Sequence, residues 1–173
     1  MLNKISTHIL RFILLILIQV FILNNILFFQ LVNPYIYIYF ILLLPFNIPK
    51  VLIIILGFLM GLCIDLFSGT MAIHAFATTF IAFLRPYILT FFSPHDGYDT
   101  TTEPTIAYYD ISWWIKYSLL MVFIHHFLLF YLEIFSLNNF FYTLIKVVLS
   151  SVLSFIIMLL CQLFFHKTAK THD

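Results

Sequence analysis

Long apolar runs decide what this chain can fold into. Six of them follow one another, at 12–31, 34–49, 51–67, 71–92, 113–132 and 140–165. A helix needs about 20 apolar residues to cross a hydrocarbon core of ~30 Å, and four of the six approach or exceed that length. Overall 64% of the residues are hydrophobic and 9% charged, with a mean hydropathy of +1.11. A soluble domain holds roughly 45–50% apolar and about 25% charged residues. A chain of 173 residues has too much surface for its volume to hide such an excess from water. These proportions exclude a soluble enzyme, a disordered chain and a secreted disulfide scaffold. They predict an all-α polytopic membrane protein, one membrane domain over 1–173 built as a bundle of six transmembrane helices.

The second run is the least regular. Its alternation, Pro34-Tyr-Ile-Tyr-Ile-Tyr, has strand character, but a lone strand in lipid leaves its backbone groups unpaired, so a helix is expected over 34–49. Pro34 suits a first helical turn, and Pro45 and Pro49 end or kink it. As a helix those residues cover only ~24 Å, a thin span. Charge placement argues that it crosses. Six crossings put Lys4, Arg11, Lys50, Arg85, Lys116, Lys167 and Lys170 on one side and only Lys146 on the other. Five crossings scatter them. Positive charge concentrates on the cytoplasmic side of such proteins, so both termini are expected there.

The first run is too long for a signal-peptide core and has no small-residue cleavage site, so an uncleaved span is expected. Eight basic against seven acidic residues leave no surplus for holding nucleic acid by its phosphates. Cys63 and Cys161 sit inside apolar runs without metal-type spacing and read as small core residues. The stretch 93–112 holds Asp96, Asp99, Glu103 and Asp110 and no Lys or Arg, with Pro94, Gly97 and Pro104 as breakers. A flexible acidic cytoplasmic loop is expected, followed by Trp113 and Trp114 at the re-entry interface.

Polar residues at membrane depth carry the functional information. Gly57, Gly61, Asp65 and Gly69 recur every four residues, which makes one stripe on a helix. Small residues so spaced let two helices approach closely. The stripe therefore serves either helix packing within the chain or contact with a partner, with Asp65 at its outer end and Gly69 turning the chain. His74 follows in the first turn of the next helix, within reach of Asp65. As an acid–base pair these two lack a nucleophile. His125 and His126 point ~100° apart on their helix, so one is expected to face protein and the other something else, and no further ligands define a metal site. Arg85 is expected to snorkel toward headgroups. Ser150, Ser151 and Ser154 give the last span a small packing face, Asn24 and Asn25 suit interhelical hydrogen bonds, and Glu133 and Lys146 are placed to pair. No catalytic, cofactor-binding or metal-ligating set is assigned.

The stretch 57–85, GFLMGLCIDLFSGTMAIHAFATTFIAFLR, resembles the signature hairpin of the MreD family of bacterial rod-shape-determining membrane proteins. That family shows a G-x-x-x-G-x-x-x-D run, a glycine turn, then a small residue and H-A opening the next helix. Gly57, Gly61, Asp65, Gly69, His74 and Ala75 occupy those positions, while Ala72 stands where the family often has glycine. The resemblance implies a non-enzymatic scaffold of the peptidoglycan elongation machinery in the inner membrane. It implies association with an MreC-like bitopic protein and, through it, with an MreB filament, a SEDS-type glycosyltransferase and a penicillin-binding transpeptidase. It also implies a fold similar to the substrate-binding membrane subunits of vitamin transporters. A small-molecule-binding transporter subunit is the alternative. It needs convergent polar groups between helices, for which Asp65, His74 and His125 are the candidates. A membrane-embedded hydrolase or transferase would need a nucleophile–base set that the sequence does not display.

Overall fold

The computed structural model describes residues 2–26, 32–135 and 139–165. Among them the chain is helical with no strand. The helices are α1 (Leu2–Phe21), the four-residue α2 (Tyr39–Leu42), α3 (Lys50–Ser68), α4 (Ile73–Phe91), α5 (Ile111–Ile134) and α6 (Phe140–Phe165), with a 3-10 turn at Leu23–Asn25 after α1. Five helical stretches are long and apolar enough to cross a membrane. Lys167, Lys170 and the tail of the first expected span, 27–31, lie outside the described residues.

Two boundaries differ from the sequence reading. The first helix starts at Leu2 and stops at Phe21, about ten residues earlier than the apolar run indicates. Asn25 ends it by donating from Nδ2 to the carbonyls of Phe21 (3.0 Å) and Val20 (3.4 Å), which lack partners inside the helix. The second difference is larger. The helix expected over 34–49 reduces to α2, and the remainder is non-helical.

Helix order explains why that segment must still travel. Ile5 and His8 of α1 line one cleft with Leu52 of α3, and Asn24, after α1, donates to Ser68 at the far end of α3 (2.9 Å). The two helices therefore run parallel. The chain between them returns the length of the bundle, from a hairpin end that holds the α3–α4 turn to a loop end that holds residues 93–110. Non-helical backbone advances up to ~3.3 Å per residue against ~1.5 Å in a helix. A mostly non-helical segment can thus return along α3, roughly 28 Å long, where sixteen helical residues fall short. The remaining neighbours are antiparallel. Arg85 of α4 meets Tyr117 early in α5, and Glu133 at the end of α5 meets Lys146 early in α6.

The returning segment is the core. Every residue from Tyr35 to Leu44 is buried, wrapped by α1, α3, α4, α5 and α6. The acidic loop is built rather than loose, contrary to expectation. Tyr98 stacks on Phe46 (ring centroids 4.4 Å apart), accepts from Trp113 Nε1 (3.2 Å) and donates to the Leu89 carbonyl (2.7 Å). Glu103 reaches back to Arg11 on α1 (3.1 Å). Aromatic packing orders the loop and the Glu103–Arg11 pair ties it to α1, and burial pushes the Tyr98 hydroxyl up to about 12.

Candidate functional site

The stripe predicted on α3 exists and faces α4. Gly57, Gly61 and Asp65 are all buried. A Cβ on Gly57 would lie 2.7 Å from the Ala82 Cβ and 3.0 Å from the Thr78 carbonyl oxygen. A Cβ on Gly61 would lie 2.5 Å from the Ala75 Cα and would also strike the His74 carbonyl oxygen. The 2.7 Å and 2.5 Å approaches are closer than real Cβ contacts come, and at Gly61 the obstacle is backbone. The stripe is thus filled by the chain's own α4.

Asp65 completes the seam. Helix α4 begins after Ala72, which supplies no side-chain cap, so its first amide groups need an acceptor from elsewhere. The Asp65 carboxylate provides it across the hairpin, accepting from His74 N (3.1 Å) and Ala75 N (2.8 Å). It also accepts from Thr70 Oγ1 and from His74 Nδ1 (3.0 Å). An ionised carboxylate only accepts, so the proton of the neutral His74 ring sits on Nδ1 and Nε2 is left as an acceptor. A negative charge at a helix N-terminus is favourable. The seam is a helix cap delivered from the neighbouring helix, made possible by the glycines that bring the helices together.

Gly69 closes α3 in the left-handed region at φ 67°, with Thr70 N bonded to the Asp65 carbonyl (3.2 Å). Ala72 also sits there, at φ 60°. The left-handed region costs a residue with a Cβ about 1–2 kcal/mol. Backbone conformation, rather than small size, is therefore what makes glycine suitable at position 72.

A second polar set, dispersed in sequence, holds the returning segment. Gln19 accepts from Ile36 N (2.8 Å) and donates to the Pro34 carbonyl (3.0 Å). Ser150 accepts from Asn33 N (3.1 Å) and Ser154 from Tyr35 N (2.9 Å). At the other end Tyr117 donates to the Leu42 carbonyl (3.2 Å) and Arg85 to the Leu44 carbonyl. Non-helical backbone away from water needs such partners. Arg85 is thus buried rather than snorkelling, because a carbonyl inside the bundle takes its guanidinium. The serines serve as hydrogen-bond partners as well as small residues. Both His125 and His126 are fully buried. His125 Nε2 meets Tyr37 Oη (2.8 Å) and His126 Nε2 meets Ser154 Oγ (3.0 Å), so neither faces outward. Glu133 and Lys146 pair at 3.5 Å.

At the hairpin end a cavity of about 280 Å³ lies between the α1 terminus, residues 33–35, the α3–α4 turn and α5, lined by Asn33, Thr70, His74 and Glu133 among others. Asn33 Oδ1 and His74 Nε2 are buried there without a hydrogen-bond partner. Among the described residues no three His, Cys, Asp or Glu side chains gather as a metal site. No known protein family, curated protein or solved structure matches the chain.

Proposed function

We propose that the chain is a non-enzymatic membrane scaffold of the MreD kind, crossing the bacterial inner membrane six times with both termini in the cytoplasm. Five crossings are helical and the sixth is the polar-clamped segment between α1 and α3. Its work is to help localise peptidoglycan elongation and maintain cell shape through an MreC-like partner. Through that partner it would reach an MreB filament, a SEDS glycosyltransferase and a penicillin-binding transpeptidase. The observation that carries the reading is the concerted use of the matched residues. Gly57 and Gly61 admit α4, Asp65 caps it at His74 and Ala75, and Gly69 turns the chain. A motif whose members all serve one construction is a stronger basis for resemblance than spacing alone.

The construction also relocates the partner contact. The stripe is occupied, so association runs through the outward helix faces. Of the five long helices α1 buries the smallest share of its apolar stretch. In lipid such contacts depend on close packing and a few polar bonds. Depletion of the protein in its native host, followed by microscopy, tests the role: rods that round up support it. Rods that keep their shape but need a nutrient supplied oppose it and favour a small-molecule-binding transporter subunit. That second reading draws on the hairpin-end cavity, whose unpaired acceptors on Asn33 and His74 suit a polar ligand.

A further inference from the structure

Arg85 is 1% exposed and has no counter-ion among the described residues. Its Nε donates to Tyr117 Oη (3.2 Å) and its Nη2 to the Leu44 carbonyl, both neutral acceptors. A guanidinium carries five N–H donors, and these bonds leave Nη1 unused. Among the described residues the basic side chains that meet a carboxylate are His8, Arg11, His74 and Lys146, and no carboxylate lies within 4.0 Å of Arg85. A buried charge is ordinarily paired, so this one stands in want of an anion.

The surroundings offer a place for it. Arg85 lines a cavity of about 400 Å³ at the loop end, together with Lys50, Thr90, Ser93 and Thr100, and no Asp or Glu lines it. Asp99, beside Thr100 in the chain, is turned into its own loop, where its carboxylate accepts from Thr101 N (2.8 Å) and Oγ1 (2.7 Å). Helix α3 opens at this cavity with Lys50, whose ammonium lies 5.6 Å from the Tyr87 ring centroid and swings from it to meet an anion. It has no acidic residue in its first turn and no side-chain cap, so its free amides add positive potential.

We propose that this cavity binds a phosphate oxyanion, with Arg85 Nη1 and Lys50 Nζ as its two cationic contacts. Arginine suits phosphate because its planar fork presents parallel donors. Arg85 lies about 9 Å along α4 from Phe91, a depth at which either a lipid headgroup drawn between the helices or free phosphate reaches it.

The test uses the full chain in detergent micelles, with thermal unfolding followed against dioleoylphosphatidic acid, dioleoylphosphatidylcholine and inorganic phosphate. Phosphatidic acid or inorganic phosphate raises the midpoint in a saturable way, and phosphatidylcholine does not. A response to the lipid alone identifies a headgroup site, and an equal response to inorganic phosphate identifies a free-anion site. Lys50→Gln weakens the apparent affinity by about tenfold, the scale of one charge-assisted hydrogen bond. Lys116→Gln, an exposed lysine at the same end with the same charge change, leaves it unaltered. Arg85→Lys keeps the charge but loses the fork and also weakens binding. If it does not fold, the two lysine variants decide the matter. No stabilisation by either anion, or equal losses in Lys50→Gln and Lys116→Gln, overturns the proposal.

Discussion

The α3–α4 hairpin and the segment 32–49 solve the same problem in opposite ways. Both must bury backbone where water is absent. The hairpin does so with regular helices, whose amides are satisfied internally, and has only its turn to repair. One carboxylate, Asp65, accepts the first amides of α4. The segment 32–49 has only the short α2 to satisfy its own groups, so Gln19, Arg85, Tyr117, Ser150 and Ser154 come to it from four other helices. The hairpin therefore depends on close approach, and the returning segment on scattered hydrogen bonds. Regular structure concentrates its requirements in a few neighbouring residues, while irregular structure spreads them over the chain.

The comparison is broken most severely at the glycine seam. Gly61→Leu drives a side chain into the backbone of His74 and Ala75 and costs about 3 kcal/mol or more, read as a lower midpoint in mixed-micelle SDS unfolding. Unchanged stability would mean that α3 and α4 do not meet at Gly61. Asp65→Ala comes next. It strips two α4 amides, Thr70 and His74 of their acceptor, a loss of about 2–3 kcal/mol measured the same way, whereas Asp65→Asn retains part of the cap and loses less.

On the other side of the comparison, Ser154→Ala leaves Tyr35 N and His126 Nε2 without a partner and costs about 1–3 kcal/mol. Its distinctive readout is faster amide exchange at Tyr35 with the hairpin amides unaffected; exchange that quickens equally in both regions would show that the two are not separately held. The smallest effect has the opposite sign. Ala72→Gly relieves a left-handed alanine and stabilises by about 1 kcal/mol, and a destabilised Ala72→Gly would show that side-chain packing, not φ, governs position 72.

The contrast also explains what the sequence reveals. The seam is legible because its members recur every four residues on one helix, a spacing with one geometric meaning. Asp65 and His74 lie nine residues apart across a glycine turn, so their meeting follows from the hairpin itself. The returning segment is legible only as apolar chain flanked by prolines. Its clamps lie from 15 to 119 residues away, and a serine or arginine inside an apolar helix does not announce which carbonyl or amide it serves. Arg85 therefore reads as a snorkelling residue and Ser150 and Ser154 as packing residues until their partners are seen. The acidic loop hides its structure for a related reason. Its order comes from Tyr98, Tyr109 and Trp113 packed with Phe46, while its charges and breakers dominate the local pattern.

The central claim is that the chain between α1 and α3 crosses the membrane without being a long helix. Asn25 and Asn47 are exposed at opposite ends of that passage. In a chain with Cys63 and Cys161 replaced, Asn25→Cys and Asn47→Cys should react with a membrane-impermeant thiol reagent from opposite sides: position 25 in intact spheroplasts, position 47 only after the membrane is opened. Labelling of both from the same side would contradict the account.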